Sequence, residues 1–229
     1  MSECNIMRFI DLLFSILALL LFSPILVCII IVLSLTGEGE IFYKQERIGR
    51  NGRKFLILKF ATMLKDSPNL GAGNITVKDD PRVLPFGLFL RKTKINELPQ
   101  LINVVKGDMA LIGPRPLTED NFAAYAPDVQ RSIHSLRPGL SGIGSIVFRD
   151  EEELLSGPNA SPIFYVEYIA PYKGELEKWY ASHRNIVVDI CLIFLTIICV
   201  IFPASSSLSK IFSDLPQMPE ELMEAMKGL

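Results

Sequence analysis

The stretch Leu12–Leu35 reads LLFSILALLLFSPILVCIIIVLSL, 24 residues without a charge. At about 1.5 Å per residue, a straight helix of this length covers roughly 36 Å, enough for a bilayer core of about 30 Å. Arg8 and Asp11 precede it. The run is too long for the apolar part of a signal peptide, and no small-residue cleavage site closes it. Ser23-Pro24 interrupts it near the middle. Proline lacks a backbone donor and clashes with the preceding turn, which predicts a kink. Each half, about 12 residues, then covers only about 18 Å. Two structures stay open on these residues: a kinked transmembrane helix, which the length favours, and a re-entrant helix that enters and leaves one face. Arg8 on one side and Lys44, Arg47 and Arg50 on the other leave the charge rule undecided.

A second apolar run, Ile186–Phe202, is broken only by Asp189 and ends at Pro203. It is short for a span, and a lone carboxylate is tolerated at an interface far better than at the bilayer centre. An interfacial helix and a second span are both open. Residues 204–229 read as a polar tail with Ser-Ser-Ser, Pro216 and Pro219, a surface helix or a partly disordered segment.

Between the runs lies a soluble body. Ile41–Ile48 and Lys54–Phe60 read as strands around a Gly49…Gly52 turn. Ile95, Leu98, Leu101, Ile102 and Val105 repeat at helical spacing. Asp120–Arg137 and Pro162–His183 also read as helices, and no internal repeat is present. The predicted class is α/β, mostly helical, attached to a membrane.

Net charge is only −2 in 229 residues, but it is unevenly placed. Residues 40–115 hold 14 Lys/Arg against 7 Asp/Glu, and residues 116–229 hold 8 against 15. A basic half beside a membrane segment suits phosphates or anionic headgroups. A hydrophobic content of 49% excludes a disordered chain. The four cysteines, Cys4, Cys28, Cys191 and Cys199, form no CxxC, and His134 and His183 have no metal spacing. The cysteines read as small hydrophobes, and structural zinc is not expected.

Arginine and proline recur in short rigid units: Asp80-Pro-Arg82, Gly113-Pro-Arg-Pro116 and Arg137-Pro-Gly139. Proline fixes φ, so a neighbouring guanidinium is held ready to grip a phosphate with two donors. The same residues also make ordinary turns. Arg91, Lys92 and Lys94 stand just before Asn96 and Glu97. A carboxylate in such a basic cluster stays ionised and can serve as metal ligand or base, or it can simply open a helix. Gly107 is placed to cap the helix ending at Lys106, with Asp108 next to it to pair with an arginine. No P-loop, GxGxxG or GxSxG is present, which argues against NTPase, kinase, dehydrogenase and hydrolase readings.

Taken in order, these motifs resemble a known family. Ser23-Pro24 is followed by Phe42-Tyr-Lys-Gln-Glu-Arg-Ile-Gly49, Lys59-Phe-x-Thr-Met63 and Asp80-Pro-Arg-Val-x-Pro-Phe-Gly-x-Phe-Leu-Arg-Lys-Thr93. Then come Glu97-Leu-Pro-Gln-Leu-x-Asn103, Lys106-Gly-Asp-Met109, Gly113-Pro-Arg-Pro116 and Arg137-Pro-Gly139. The chain resembles the bacterial sugar transferases, the monotopic polyprenyl-phosphate phosphoglycosyl transferases, from about residue 6 to residue 202. The resemblance implies transfer of a sugar phosphate from a UDP-sugar to undecaprenyl phosphate, with Mg²⁺, giving UMP and the diphospho-sugar lipid. That is the step that opens assembly of a surface glycan or glycoprotein. It implies a re-entrant helix over residues 1–36 broken at Ser23-Pro24. A cytoplasmic transferase domain over 37–185, an interfacial helix over 186–203 and a tail over 204–229 follow. The location implied is the cytoplasmic face of the bacterial inner membrane. The partners are the two substrates and membrane lipid, with no nucleic acid, and related transferases allow a homodimer. The multi-span N-terminal region of larger relatives is not expected here.

The site implied is Asn96 and Glu97 as the catalytic pair and Glu97 as metal ligand. Lys59, Arg82, Arg91, Gln100, Asn103, Arg115 and Arg137 are implied to bind substrate phosphates. The family's pair is Asp-Glu, whose aspartate forms a covalent phosphosugar intermediate; here the first member is Asn96. An amide is a poor nucleophile. The sequence therefore points to direct transfer, with a disabled variant that binds nucleotide-sugar or polyprenyl phosphate as the alternative. Ala61 also stands where the family usually has arginine. Specificity for the sugar is expected from residues 142–170.

Overall fold

A computed structural model describes residues 5–70, 80–156, 162–202 and 211–227. Helix α1 (Asn5–Leu35) is followed by the hairpin β1 (Phe42–Ile48) and β2 (Lys54–Phe60). Then come α2 (Pro85–Lys92), α3 (Gln100–Lys106), β3 (Ala110–Ile112), α4 (Glu119–Ala123), α5 (Pro127–Ile133) and β4 (Gly139–Ser141). Short helices α6 (Ile143–Val147), α7 (Glu151–Leu154) and α8 (Pro162–Phe164) lead into α9 (Ala170–His183), α10 (Ile186–Ile201) and α11 (Glu220–Lys227). The two strand pairs are small: β1 and β2 run antiparallel, Phe42 opposite Phe60 and Ile48 opposite Lys54, and β3 and β4 run parallel. The protein is mostly helical, as the sequence indicated.

Helix α1 is helical from Asn5 to Leu35 with Pro24 inside it. At Ser23-Pro24 the backbone ladder loses one donor. Proline cannot donate to the carbonyl four residues back, Leu20. The Ser23 hydroxyl donates to that carbonyl at 2.8 Å, so no polar group is orphaned among apolar neighbours. The helix is long and apolar enough to cross a membrane, and 11% of its most apolar window is buried within the protein. A core helix of a soluble protein would hide most of that surface.

Both ends of α1 are fastened to the same body. Near its start, Arg8 donates to the carbonyls of Val104 and Val105 at 2.8 and 3.1 Å, capping α3, while Asp11 Oδ1 accepts from the Leu111 amide of β3. Near its end, Ile29 and Leu33 pack with Phe60 and Leu90. Between these anchors Leu17, Leu20, Leu21 and Ile25 are exposed.

The main core lies around α9, which presents Tyr172, Leu176, Trp179 and Tyr180 to α6, α10 and the end of β3. Asp189, the one charge in the second apolar run, has partners there: its Oδ1 accepts from the Tyr180 hydroxyl at 2.6 Å, and its Oδ2 lies 3.5 Å from Arg184 Nε. The tail beyond residue 210 is not a loose polar segment. Leu222 is fully buried in the same core, Phe212 packs edge-on to Trp179, and the Tyr172 hydroxyl donates to the Pro216 carbonyl.

Several helices start later or break earlier than periodicity implied. Pro127 opens α5, and the expected Asp120–Arg137 helix is two helices, because proline fits the first turn and not the interior. Ile95–Glu97 forms a separate 3-10 turn ahead of α3, with Pro99 between them. Gly107 caps α3 in the left-handed conformation at φ 97°, as expected, but Asp108 faces Asn103 and not an arginine.

Candidate active site

A cavity of about 1400 Å³ opens between the β1–β2 hairpin, the 94–97 turn, α7 and α10. The residue that sets its floor is Lys94. It adopts a left-handed conformation at φ 58°, uncommon for a residue with a side chain, and so turns the chain sharply after α2. Its Nζ donates to the Arg149 carbonyl at 3.1 Å, which holds the turn. Asn96 and Glu97 follow directly, and both line the cavity.

Glu97 is ringed by cations. Its Oε1 pairs with Lys59 Nζ at 2.9 Å. Burial pushes the Glu97 carboxyl up, but Lys59, Arg115 and Lys94 outweigh it and hold it at about 2. Burial likewise lowers Lys59, with Glu97 opposing. Arg115 stands beside Glu97 and Glu151, and these carboxylates keep it charged. Asn96 is buried, and its amide Oδ1 has no hydrogen-bond partner among the described residues. An unmet buried acceptor beside an ionised carboxylate is a place for a donor or a cation supplied from outside.

The structure divides the expected phosphate contacts. Lys59, Arg91 and Arg115 line the cavity with Asn96 and Glu97. Arg91 is paired there with Glu152 and lies within 3.4 Å of the Thr62 hydroxyl. Arg82, Gln100, Asn103 and Arg137 do not line it. Arg82 is 5% exposed and forks onto Asp80, while its Nη1 donates to the carbonyls of Ser67 and Leu70 at 2.9 and 2.7 Å. Those bonds staple a loop and face it away from the site. Asn103 accepts from the Leu58 amide at 3.0 Å and donates to the Leu56 carbonyl at 2.8 Å, completing the free edge of β2. Gln100 is 2% exposed inside the body. Arg137 is lowered by burial and by its neighbour Arg184, and its backbone braces Gly113. Of the three arginine–proline units, one delivers its guanidinium to the cavity.

Other cavity residues were not singled out as site residues by sequence reading. Arg47, on β1, donates to the Pro116 carbonyl at 3.2 Å, and burial and then Arg115 pull it down to about 10. Lys173 pairs with Glu151 and lies 5.0 Å from the centre of the Phe148 ring. Tyr165 is raised to about 12 by burial and then by Glu151. The signal available for Arg47 was its place in a strand beginning with the family's Phe-Tyr-Lys-Gln-Glu-Arg. Lys173 sits in a helical stretch with no distinguishing spacing, and Tyr165 falls in the 142–170 stretch from which sugar specificity is expected.

Behind Arg115 lies Glu177, 1% exposed, whose Oε1 accepts from the Arg115 amide at 3.3 Å. Burial raises this carboxyl to about 7. A carboxyl whose folded value lies above its unfolded value of about 4 binds more protons when folded, so stability is lost as pH rises from about 4 through that folded value. The thermal midpoint should therefore fall between pH 5 and pH 7, and Glu177→Gln should flatten the fall, both read by thermal unfolding in detergent. An equal fall in the variant would assign it to other groups.

A cationic, carboxylate-centred cavity beside an apolar helix is a site with the charge to take an anionic ligand. The sequence profile of the bacterial sugar transferases matches residues 2–203, and the chain belongs to that family. It is 31% identical over 204 residues to the exopolysaccharide production protein ExoY of Sinorhizobium fredii, covering 83% of each chain. It is 33% identical over 190 residues to the UDP-glucose:undecaprenyl-phosphate glucose-1-phosphate transferase of Escherichia coli, 82% of this chain and 38% of that one. It is 30% identical over 203 residues to the undecaprenyl-phosphate galactose phosphotransferase of Salmonella typhimurium, 82% of this chain and 39% of that one. The protein is a phosphoglycosyl transferase. Residues 211–227, packed into the core, lie outside the matched region.

Proposed function

We propose that this chain transfers a sugar phosphate from a UDP-sugar to undecaprenyl phosphate at the cytoplasmic face of the inner membrane. The observation that carries this reading is the cavity itself: Lys59, Arg47, Arg91 and Arg115 around Glu97, with an apolar wall from α10. Two anionic substrates repel each other, and fixed cations in a partly dry site offset that repulsion and stabilise the transferring phosphoryl group. In direct transfer, a phosphate oxygen of the acceptor forms a bond to the sugar-bearing phosphorus. The bond from that phosphorus to the bridging oxygen breaks, and the oxygen leaves with UMP. The acceptor is already an anion, so the step needs positioning and charge stabilisation more than a base. Asn96, with no carboxylate oxygen to offer, supports transfer without a covalent phosphosugar.

The donor set suits Mg²⁺. The ion commonly takes one or two protein oxygens and completes its shell with substrate phosphates and water. Glu97 and the unmet amide oxygen of Asn96 would hold it, and it would supply further charge neutralisation of the phosphates. Among the described residues no group of three carboxylate, His or Cys side chains is present to hold a metal without substrate. The test is UMP release from a panel of UDP-sugars with undecaprenyl phosphate and Mg²⁺, run beside Asn96→Asp. Release by the unaltered chain is the expected result. Release by Asn96→Asp alone would mean an intact scaffold that binds without transferring.

The reading includes a re-entrant α1, supported by its two ends docking on one body with the apolar middle exposed. Single cysteines at Asn5 and Thr36, in a background without the native cysteines, should both react with an impermeant thiol reagent from the same side of a vesicle. Reaction from opposite sides would make α1 a span.

A further inference from the structure

Arg149 is among the cavity cations that the proposed transfer does not use. Arg149 lines the cavity where α7 approaches the last turn of α10. Its Nε and Nη1 are buried without a hydrogen-bond partner among the described residues. Its Nη2 makes a single long contact, 3.5 Å, to the Val200 carbonyl. Two of the neighbouring acids are turned to other cations, Glu151 to Lys173 and Glu152 to Arg91, while Asp150 and Glu153 also line the cavity. Leaving buried guanidinium donors unmet is costly, about 1–3 kcal/mol for each group, so a fold that keeps them open is set to receive an acceptor.

The surroundings say which acceptor. Ile193, Ile197 and Val200 of α10 form a row facing the cavity, and the adjacent row, Phe194, Ile198 and Ile201, is exposed outward. The apolar surface is thus continuous from the outside of the molecule to the guanidinium. Thr196 is the one polar side chain among the α10 residues lining the cavity, and its hydroxyl is engaged with the Leu192 carbonyl and Ser141. A base or ribose would find no partner on this wall, whereas a hydrocarbon chain needs none. The Arg149 carbonyl accepts from Lys94 in the turn that carries Glu97, so the backbone of Arg149 is tied to that turn, and Arg149 and Glu97 line one cavity.

The geometry points to Arg149 and the inner row of α10 as the subsite for a long-chain isoprenyl phosphate: phosphate on the guanidinium, first isoprene units against Ile193, Ile197 and Val200. This rests on the transferase reading above, and it assigns the acceptor to one wall of the cavity. The test measures equilibrium binding of radiolabelled undecaprenyl phosphate, and separately of UDP, to the full chain in detergent, for the unaltered protein, Arg149→Ala and Arg149→Lys. Arg149→Ala should weaken lipid phosphate binding about tenfold or more, the size of one charge-assisted contact. Arg149→Lys should recover part of it, and UDP binding should move less than about twofold, which is about 0.4 kcal/mol. Undecaprenol, which lacks the phosphate, should compete poorly. Equal loss of UDP and lipid affinity would mean a structural role, and loss of UDP affinity alone would place the nucleotide there. Equal competition by phosphatidic acid would make the site a general headgroup site. Lipid phosphate binding that depends on Arg149, without UMP release from any UDP-sugar, would uphold the subsite and sink the transferase reading. UMP release with lipid affinity unmoved in Arg149→Ala would do the reverse.

Discussion

Glu97→Gln should lower UMP release by about a thousandfold or more, the scale on which removal of a charge-stabilising group in a preorganised site is felt. The carboxylate is the centre of the cationic ring, and an amide gives neither its charge nor its affinity for a hard cation. Its pairing with Lys59 at 2.9 Å leaves about a fifth to a quarter of each side chain exposed to the cavity, 20% and 24%. Removing one partner therefore costs less than in a dry core, about 1–2 kcal/mol of stability. The double change Lys59→Met with Glu97→Gln should recover that stability, read by thermal unfolding, without recovering turnover. If the double variant also recovered activity, Glu97 would be a counterion for Lys59 and nothing more. The sign with pH is fixed by a folded value of about 2, below the unfolded value of about 4. The stabilisation from Glu97 is complete above the unfolded value and is lost as pH falls through the folded one. Glu97 is thus ionised throughout the working range, and no limb of a pH–rate profile near neutrality should disappear with it.

How far the sequence could reach depends on which force set each feature. The hairpin was legible because strand residues flank a turn whose chemistry is local: Asn51 and Gly52 both take positive φ. The Gly107 cap was legible for the same reason. The Asn96–Glu97 turn and the cations Lys59, Arg91 and Arg115 were legible as a motif, and the fold does bring them together. Arg82, Asn103 and Arg137 show the limit. In sequence an arginine held by proline looks the same whether its guanidinium faces a phosphate or a carboxylate two residues away, and for Arg82 that carboxylate is Asp80. Asn103 completes a strand edge 45 residues earlier in the chain. The tail was misread because one buried leucine, Leu222, outweighs a polar composition. Asp189 looked like a mark of shallow membrane depth, but it is the partner of Tyr180 and Arg184. Asn103 and Leu222 depend on contacts between residues far apart in the chain, and Arg82 and Asp189 on which nearby side chain each one turns to; periodicity reports neither.

Gly139→Ala should be the most damaging single methyl group in the molecule. A Cβ there would lie 2.2 Å from the Gly113 nitrogen, 2.3 Å from the Ser141 carbonyl oxygen and 2.7 Å from the Gly113 carbonyl oxygen. All three are backbone atoms, so no rotamer change relieves the overlap. The residue joins β4 to the turn that Gly113-Pro-Arg-Pro116 makes, with the Gly139 amide donating to the Pro114 carbonyl at 2.8 Å. Pushing those chains apart moves Arg115 away from Glu97, so the substitution reaches the site through packing and not through chemistry. Overpacking of this kind costs about 3 kcal/mol or more, which in a chain of this size lowers the thermal midpoint by roughly 10 °C. Gly39→Ala is the matched control. It has a positive φ of 72° but open space, its nearest atom being the Ser34 oxygen at 3.9 Å. Left-handed strain alone costs about 1 kcal/mol, or roughly 3 °C. Thermal unfolding of both variants, with UMP release measured well below either midpoint, separates the two causes. Gly139→Ala should lose most turnover even where it is folded, while Gly39→Ala should keep it. Equal shifts in midpoint would mean that the β3–β4 contact relaxes freely, and that the close approach of the two arginine–proline turns does not hold Arg115 in place.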